Sequence, residues 1–325
     1  MRTYCTYFDS HYLAQGIVML RSLLRFDPRA AIRVLALDES CERVARDLFP
    51  SSIQVTGLGE LHSQKPQLPA LRASRTAWAY YATHKPAFVR FVLESTPGPA
   101  SVTFVDADMC FFADPSPAYE ELGTAAIGLS PHRFPASAQT LAIYGTYNAG
   151  WIYWRAGMAA RQCLADWERE CMAWCDPEVQ PDGRFMNQGY LNGWPNRYSS
   201  VHILNHPGVN LAPWNIGGHL LTRNWGKLSV DGRPLICYHF SGLLRDASGF
   251  WYSIYPSPPQ FDIAQKSIYQ PYLDAVESEG RRLSKNHGLE GIGSVRSTSV
   301  GPGHTRIQAR RSFSVSRVVG RVARR

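Results

Sequence analysis

Val102-Thr103-Phe104-Val105-Asp106-Ala107-Asp108 is an apolar run that closes in two carboxylates one small residue apart. In an extended segment, residues i and i+2 project to the same face about 7 Å apart, so Asp106 and Asp108 aim at one point beyond the strand end. Such a pair suits a hard divalent cation, because Mg²⁺ and Mn²⁺ take oxygen ligands and bridge protein carboxylates to nucleotide phosphates. Alone, the pattern also fits a solvated turn after a buried strand. The decision rests on what surrounds it.

Upstream, apolar strands alternate with helical spacing. Thr3 to Phe8 reads as a buried strand, and Tyr12 to Phe26 sets Leu13, Ile17, Leu20 and Leu24 at helical intervals. Ile32 to Leu37 reads as a second strand, Glu39 to Phe49 as an amphipathic helix, and Ile53 to Val55 as a third strand. Ala87 to Leu93 reads as helix, leading into the Asp-x-Asp strand. This alternation predicts a mostly parallel sheet flanked by helices, with ligands gathered at the C-terminal strand ends.

Downstream the pattern is less regular. Ala125 to Leu129, Gly150 to Trp154 and Leu235 to Phe240 read as strands, and Met158 to Trp174 and Phe261 to Glu277 as helices. A short helix over Met186 to Leu191 follows a Pro-Asp-Gly turn. Beyond Gly280 the chain turns to Gly, Ser and Arg, which predicts a folded domain over 1–278 and a poorly ordered basic tail over 279–325.

The net charge of +8 belongs to that tail: of 34 Lys/Arg and 26 Asp/Glu, eleven bases and one acid lie in 280–325, leaving 23 bases and 25 acids for the body. A nearly neutral body excludes a specific nucleic-acid-binding domain. The seven cysteines form no zinc-type CxxC pair, which predicts reduced, mostly buried thiols. Neither a signal-peptide-like apolar region nor a run of 18 apolar residues is present, and a cytoplasmic location is expected. GxSxG, GxxxxGK[ST] and GxGxxG are all missing, which disfavours a serine hydrolase, a P-loop ATPase and a dehydrogenase.

His239-Phe240-Ser241-Gly242-Leu243-Leu244-Arg245 places an imidazole at a strand end, a glycine for close backbone approach and a guanidinium beyond it. By itself His239 also fits an ordinary packed histidine. With Asp106 and Asp108 it completes an O,O,N ligand set that leaves positions open for a diphosphate.

Taken in order, Asp106-Ala107-Asp108, Tyr147-Asn148-Ala149-Gly150, Asn187-Gln188-Gly189-Tyr190-Leu191-Asn192 and the late HxxGxxR resemble the motif set of family 8 glycosyltransferases and close relatives. The resemblance spans residues 3 to 250 and implies a GT-A-like α/β fold, a nucleotide-sugar donor (UDP-sugar above all), Mn²⁺ or Mg²⁺, and transfer to a hydroxyl acceptor with retention. It implies Asp106, Asp108 and His239 as metal ligands, Gln188, Asn148 and Asn187 as catalytic, and Asp9, Tyr12, Lys85, Asp106 and Arg245 as donor-binding. Asp9 in Phe8-Asp9-Ser10-His11-Tyr12 would read the base and Tyr12 stack on it, although a Tyr at a helix start also serves packing.

The chain departs from that pattern, with Asp246-Ala247 replacing the Pro-Trp that often follows the last motif and with two single positions changed. Asn187 stands where the family commonly has Asp, and Arg245 where Lys is usual. A guanidinium keeps phosphate binding. The missing carboxylate instead raises the alternative of a catalytically silent nucleotide-sugar-binding module. Gln188 is too weak a nucleophile for covalent catalysis, so it orients the sugar or stabilises positive charge through its carbonyl dipole. Trp151, Trp154, Trp194 and Trp214 offer a sugar-stacking platform or ordinary core. The acceptor, whether saccharide, lipid or protein, is not encoded in these motifs. Finally, Arg306, Arg310, Arg311, Arg317, Arg321, Arg324 and Arg325 interleave with Ile307, Phe313, Val315, Val318, Val319 and Val322, which fits either a peripheral contact with anionic membrane or a solvated tail.

Overall fold

Strand β1 (Thr3–Phe8) is buried on both faces, with Tyr4 and Phe8 in one apolar cluster and Cys5 in another. The period-2 alternation of a strand divides these side chains between two helical layers. The first cluster takes in α1 (Leu13–Phe26) and α2 (Glu39–Leu48), and it also holds Ile32, Val34 and Ala36 of β2 (Ala31–Ala36). The second takes in Phe88 and Val92 of a long helix on the opposite face, together with Leu35. The computed structural model describes residues 1–49, 53–96, 100–246, 248–289 and 304–307.

The chain continues through β3 (Ile53–Gly57), α3 (Leu58–Gln64), α4 (Ala77–Ser95), β4 (Ser101–Val105), β5 (Met109–Phe111), α5 (Ser116–Leu122), β6 (Ile127–Pro131), β7 (Tyr147–Arg155), α6 (Met158–Ala173) and β8 (Val201–Ile203). The main sheet has the order β3-β2-β1-β4-β7-β6-β8. Every pairing is parallel except the two made by β7. The mostly parallel, helix-flanked sheet read from the sequence is therefore the architecture found. The reversal of β7 matters for the site, because it brings the N-terminal end of β7 to the edge where β1 and β4 end.

Local chemistry fixes these elements. Asp38 caps α2 by accepting from Cys41 N at 2.8 Å, and its second oxygen accepts from Ser10 N at 2.7 Å, which ties the loop after β1 to the next helix. Gly16 lets α1 settle onto β1: a Cβ there would lie 2.6 Å from the Phe8 ring. The seven cysteines are free and buried. No helix among the described residues is long and apolar enough to cross a membrane.

Several expected boundaries move, each for a physical reason. Strand β7 begins at Tyr147 rather than at Gly150, because it pairs with β6 past a bulge between Leu129 and Ser130. Helix α4 runs straight through Pro86 and is much longer than Ala87 to Leu93. The expected helix over Met186 to Leu191 is a 3₁₀ turn over Gly189–Gly193. The last helix is broken by a π turn at Gln265–Tyr269 and then runs Gln270–His287, past residue 278, with Leu283 fully buried. Thr305–Ile307 returns as a strand on Trp251–Ser253, with Ile307 buried and the Arg306 guanidinium 3.8 Å over the Phe250 ring. These two residues, read as part of a poorly ordered tail that either meets a membrane or is solvated, thus form a strand on the body. The remaining arginines of the tail and its valines and Phe313 lie outside the described residues.

Candidate functional site

The two carboxylates sit in a tight turn between β4 and β5 rather than on one extended strand. Met109 N donates to Asp106 O at 3.2 Å, and Asp106 N donates to Gly150 O of β7 at 2.9 Å. The register of β4 against β7, Val105 opposite Trp151, sets Asp106 beside Gly150. On the other side Met109 pairs with His239, whose strand Cys237–His239 runs antiparallel to β5. Ligand atoms of Asp106, Asp108 and His239 consequently lie within 4.8 Å of one another. His239 Nε2 is 3.1 Å from Asp108 Oδ1 and 4.0 Å from Asp106 Oδ2.

The surroundings hold this triad in place. Burial pulls the His239 pKa down, but the neighbouring Asp108 carboxylate more than offsets it and the net shift is upward; burial pushes Asp108 up, and the imidazole brings it below the ordinary carboxylate value. His239 Nδ1 faces Asn210 Oδ1 at 3.1 Å, which fixes the ring and leaves Nε2 for the carboxylates or a cation. Lys85, almost fully buried, donates from Nζ to Asp106 Oδ1 at 2.8 Å and to the Ala149 carbonyl at 3.1 Å, with Phe104 as a floor 4.3 Å away. Gly150 is required here, since a Cβ would stand 2.6 Å from the imidazole and 2.7 Å from Asn148 Oδ1. Two oxygens and one nitrogen in this arrangement are a fitting donor set for a hard or borderline divalent cation.

A chain of amides leads away from the triad. Asn210 Nδ2 donates to Asn148 Oδ1 at 3.0 Å and to Ser130 Oγ at 2.9 Å. Asn148 Nδ2 donates to Gln188 Oε1 at 3.0 Å, and the same oxygen accepts from Ala149 N at 3.0 Å. Gln188 Nε2 donates to the Tyr144 carbonyl at 3.0 Å. His132 closes the network: its Nδ1 donates to Gly145 O at 2.8 Å, its Nε2 accepts from Asn148 Nδ2 at 3.2 Å, and burial lowers its pKa to about 4, which keeps it neutral. Asn210 and His132 carry no motif that reveals them in the sequence.

Asn187 has a different job. Pro86 has no N–H to offer the Ala82 carbonyl one turn earlier in α4, and Asn187 Nδ2 donates to that carbonyl at 2.8 Å. An Asp would set an acceptor against an acceptor there. Asn187→Asp should accordingly cost about 1–3 kcal/mol, the scale of one unsatisfied buried polar group, and be visible as a lower urea midpoint at unchanged m-value.

Of the donor-binding candidates, Asp9 lies just beyond β1 and accepts from Tyr12 N at 3.1 Å, and burial raises its pKa. Tyr12 is partly exposed and shares a cavity of about 90 Å³ with Asp108. Arg245 is turned to its own sheet, donating from Nε to Gly249 O at 3.3 Å with Nη2 3.8 Å from Glu277. Trp151, Trp154 and Trp194 are core side chains, the last two packed with Trp167, so they offer no sugar platform. Trp214 is buried too, edge-on to His239 at 5.1 Å. The geometry thus brings together Asp106, Asp108, His239, Lys85, Asn148 and Gln188, sets the Asn187 amide on the Ala82 carbonyl, and rests Arg245 against Gly249 and Glu277.

No family model matches the chain. YfnF of Bacillus subtilis (strain 168) is 32% identical over 247 residues, 74% of this chain and 80% of that protein. YfnD of the same organism is 27% identical over 263 residues, 78% of this chain and 82% of that protein. Among solved structures, the galactosyltransferase LgtC with donor and acceptor sugar analogues superposes with a TM-score of 0.52 at 15% identity, covering 85% of this chain and 95% of that one. An active-site glutamine-to-glutamate variant of LgtC gives 0.50 at 16% identity over the same shares. The chain belongs to the family of YfnF, and its fold is that of the GT-A glycosyltransferases.

Proposed function

We propose that this protein transfers a sugar from a nucleoside diphosphate sugar, foremost a UDP-sugar, to a hydroxyl acceptor, with retention at the anomeric carbon. The observation that carries the reading is the meeting of three ligand atoms within 4.8 Å at a strand edge that also holds the Gln188–Asn148 amide chain. The LgtC fold and the donor and acceptor analogues bound by that protein support it.

Mn²⁺ or Mg²⁺ would be held by Asp106, Asp108 and His239 and, when bound, would supply Lewis-acid charge opposite a leaving diphosphate. The chain's own groups do the rest. Lys85 fixes the Asp106 carboxylate and adds positive charge near the leaving group. Arg245 would exchange its Glu277 contact for a phosphate oxygen, a charge-assisted bond. Asp9 and Tyr12 hold the base. The Gln188 amide, pinned at both ends, presents a fixed dipole to the sugar at no reorganisation cost, and Asn148 keeps it pinned. The active-site glutamine named for LgtC supports that role for Gln188.

A panel of nucleotide sugars with each cation, read for binding, transfer and slow donor hydrolysis, tests the proposal. Binding without either reaction across the panel would leave the silent module that Asn187 raised. On the productive donor, Gln188→Ala should lower kcat by about 10²-fold with donor KM nearly unchanged, and Tyr12→Ala should raise KM with kcat nearly unchanged. Matching profiles for the two variants contradict this division of labour.

A further inference from the structure

We infer that the hairpin tip at Trp225 docks on an anionic phospholipid surface. Strands Leu221–Asn224, Lys227–Val230 and Arg233–Pro234 form a small meander joined by two two-residue turns, Trp225-Gly226 and Asp231-Gly232. The turns share one backbone shape: φ is +51° and +79° in the first, +50° and +77° in the second. That is the left-handed pair that favours Asn-Gly or Asp-Gly, and the second turn uses it in the ordinary way. In the first, a bulky aromatic occupies the strained position, and its side chain is wholly exposed, at 103% of the reference area.

Strain held at a residue that contacts no core points to a role outside the molecule. The base of the meander is firm: Leu221 and Val230 are buried and Leu221 N donates to Gln260 Oε1 at 2.7 Å, so the indole is presented on a rigid stalk. Arg223 and Lys227 flank it, both exposed, and among the described residues neither forms an ion pair; Arg233 lies at the other end, beside the second turn. Asp231, the acid of the same meander, is taken by His219 Nδ1 at 2.6 Å and Leu220 N at 2.7 Å. An exposed indole with two free cations beside it matches the interface of an anionic bilayer, where tryptophan settles at headgroup depth and Lys and Arg meet the phosphates. A neutral saccharide would not require those two cations.

The test is co-sedimentation of the full chain with phosphatidylglycerol–phosphatidylcholine vesicles and with pure phosphatidylcholine, together with quenching of tryptophan emission by brominated acyl chains. Trp225→Asn is the variant of choice, because Asn suits the turn and the hairpin keeps its fold. We expect binding to the anionic vesicles that fades with salt, a fall in partition of about tenfold or more in Trp225→Asn, and a fall of about fivefold in Arg223→Gln or Lys227→Gln. Bromine quenching seen in the wild type should vanish in Trp225→Asn. Equal partition or equal quenching in the wild type and Trp225→Asn overturns the inference, as does failure of the wild type to bind anionic vesicles at low salt.

Discussion

Asp108→Asn should lower glycosyl transfer by a factor on the order of 10²–10³, the scale for removing one group that manages developing charge. Asn is nearly isosteric, and its oxygen can still accept from His239 Nε2, which stands 3.1 Å from the present carboxylate. The fold should therefore survive, with the thermal midpoint shifted by no more than a few degrees. What is lost is one of two anionic ligands, so binding of Mn²⁺ should weaken in step with turnover. The check is kcat/KM on the productive donor together with Mn²⁺ affinity by calorimetry. Full activity in this variant would remove Asp108 from the metal site.

Asn210→Ala should be nearly as damaging although the side chain touches no proposed substrate. Its amide anchors His239, Asn148 and Ser130 at 3.1, 3.0 and 2.9 Å. Losing a group that orients a metal ligand costs about 10–100-fold in affinity, and the unpaired polar groups left behind cost about 1–3 kcal/mol of stability. Asn210 also has φ of +57°, a conformation in which Ala is strained and Gly is not. Asn210→Gly separates the two effects: it should regain stability relative to Ala while keeping the loss of Mn²⁺ affinity. Recovery of metal binding in Asn210→Gly would mean that only the backbone mattered.

The sequence carried the parallel half of the fold plainly, because buried strands and amphipathic helices announce themselves by period. Thr3–Phe8 was readable to the residue. The reversal of β7 was not, since a strand buried along nearly its whole length looks the same in either direction. Helix α4 hid behind Pro86, and the reason that proline is tolerated, the amide of Asn187 on the Ala82 carbonyl, lies 105 residues away. That same contact gives a physical account of an Asn where the resemblance leads one to expect an Asp. Short-range chemistry marked Asp106, Asp108 and His239. Asn210 and His132 act by hydrogen bonds between distant loops and leave no periodic or spacing signal, and Arg245 sits in a strand whose far neighbour, Thr305–Ile307, comes from a segment that composition assigned to the tail.

The central claim is a cation-dependent site for a nucleoside diphosphate at Asp106, Asp108 and His239, and calorimetric titration of UDP with Mn²⁺ present and with Mn²⁺ chelated tests it most directly. The account predicts saturable binding of one UDP per chain with the cation, weakened about tenfold or more without it. UDP binding of equal strength under both conditions, or none in either, would contradict it.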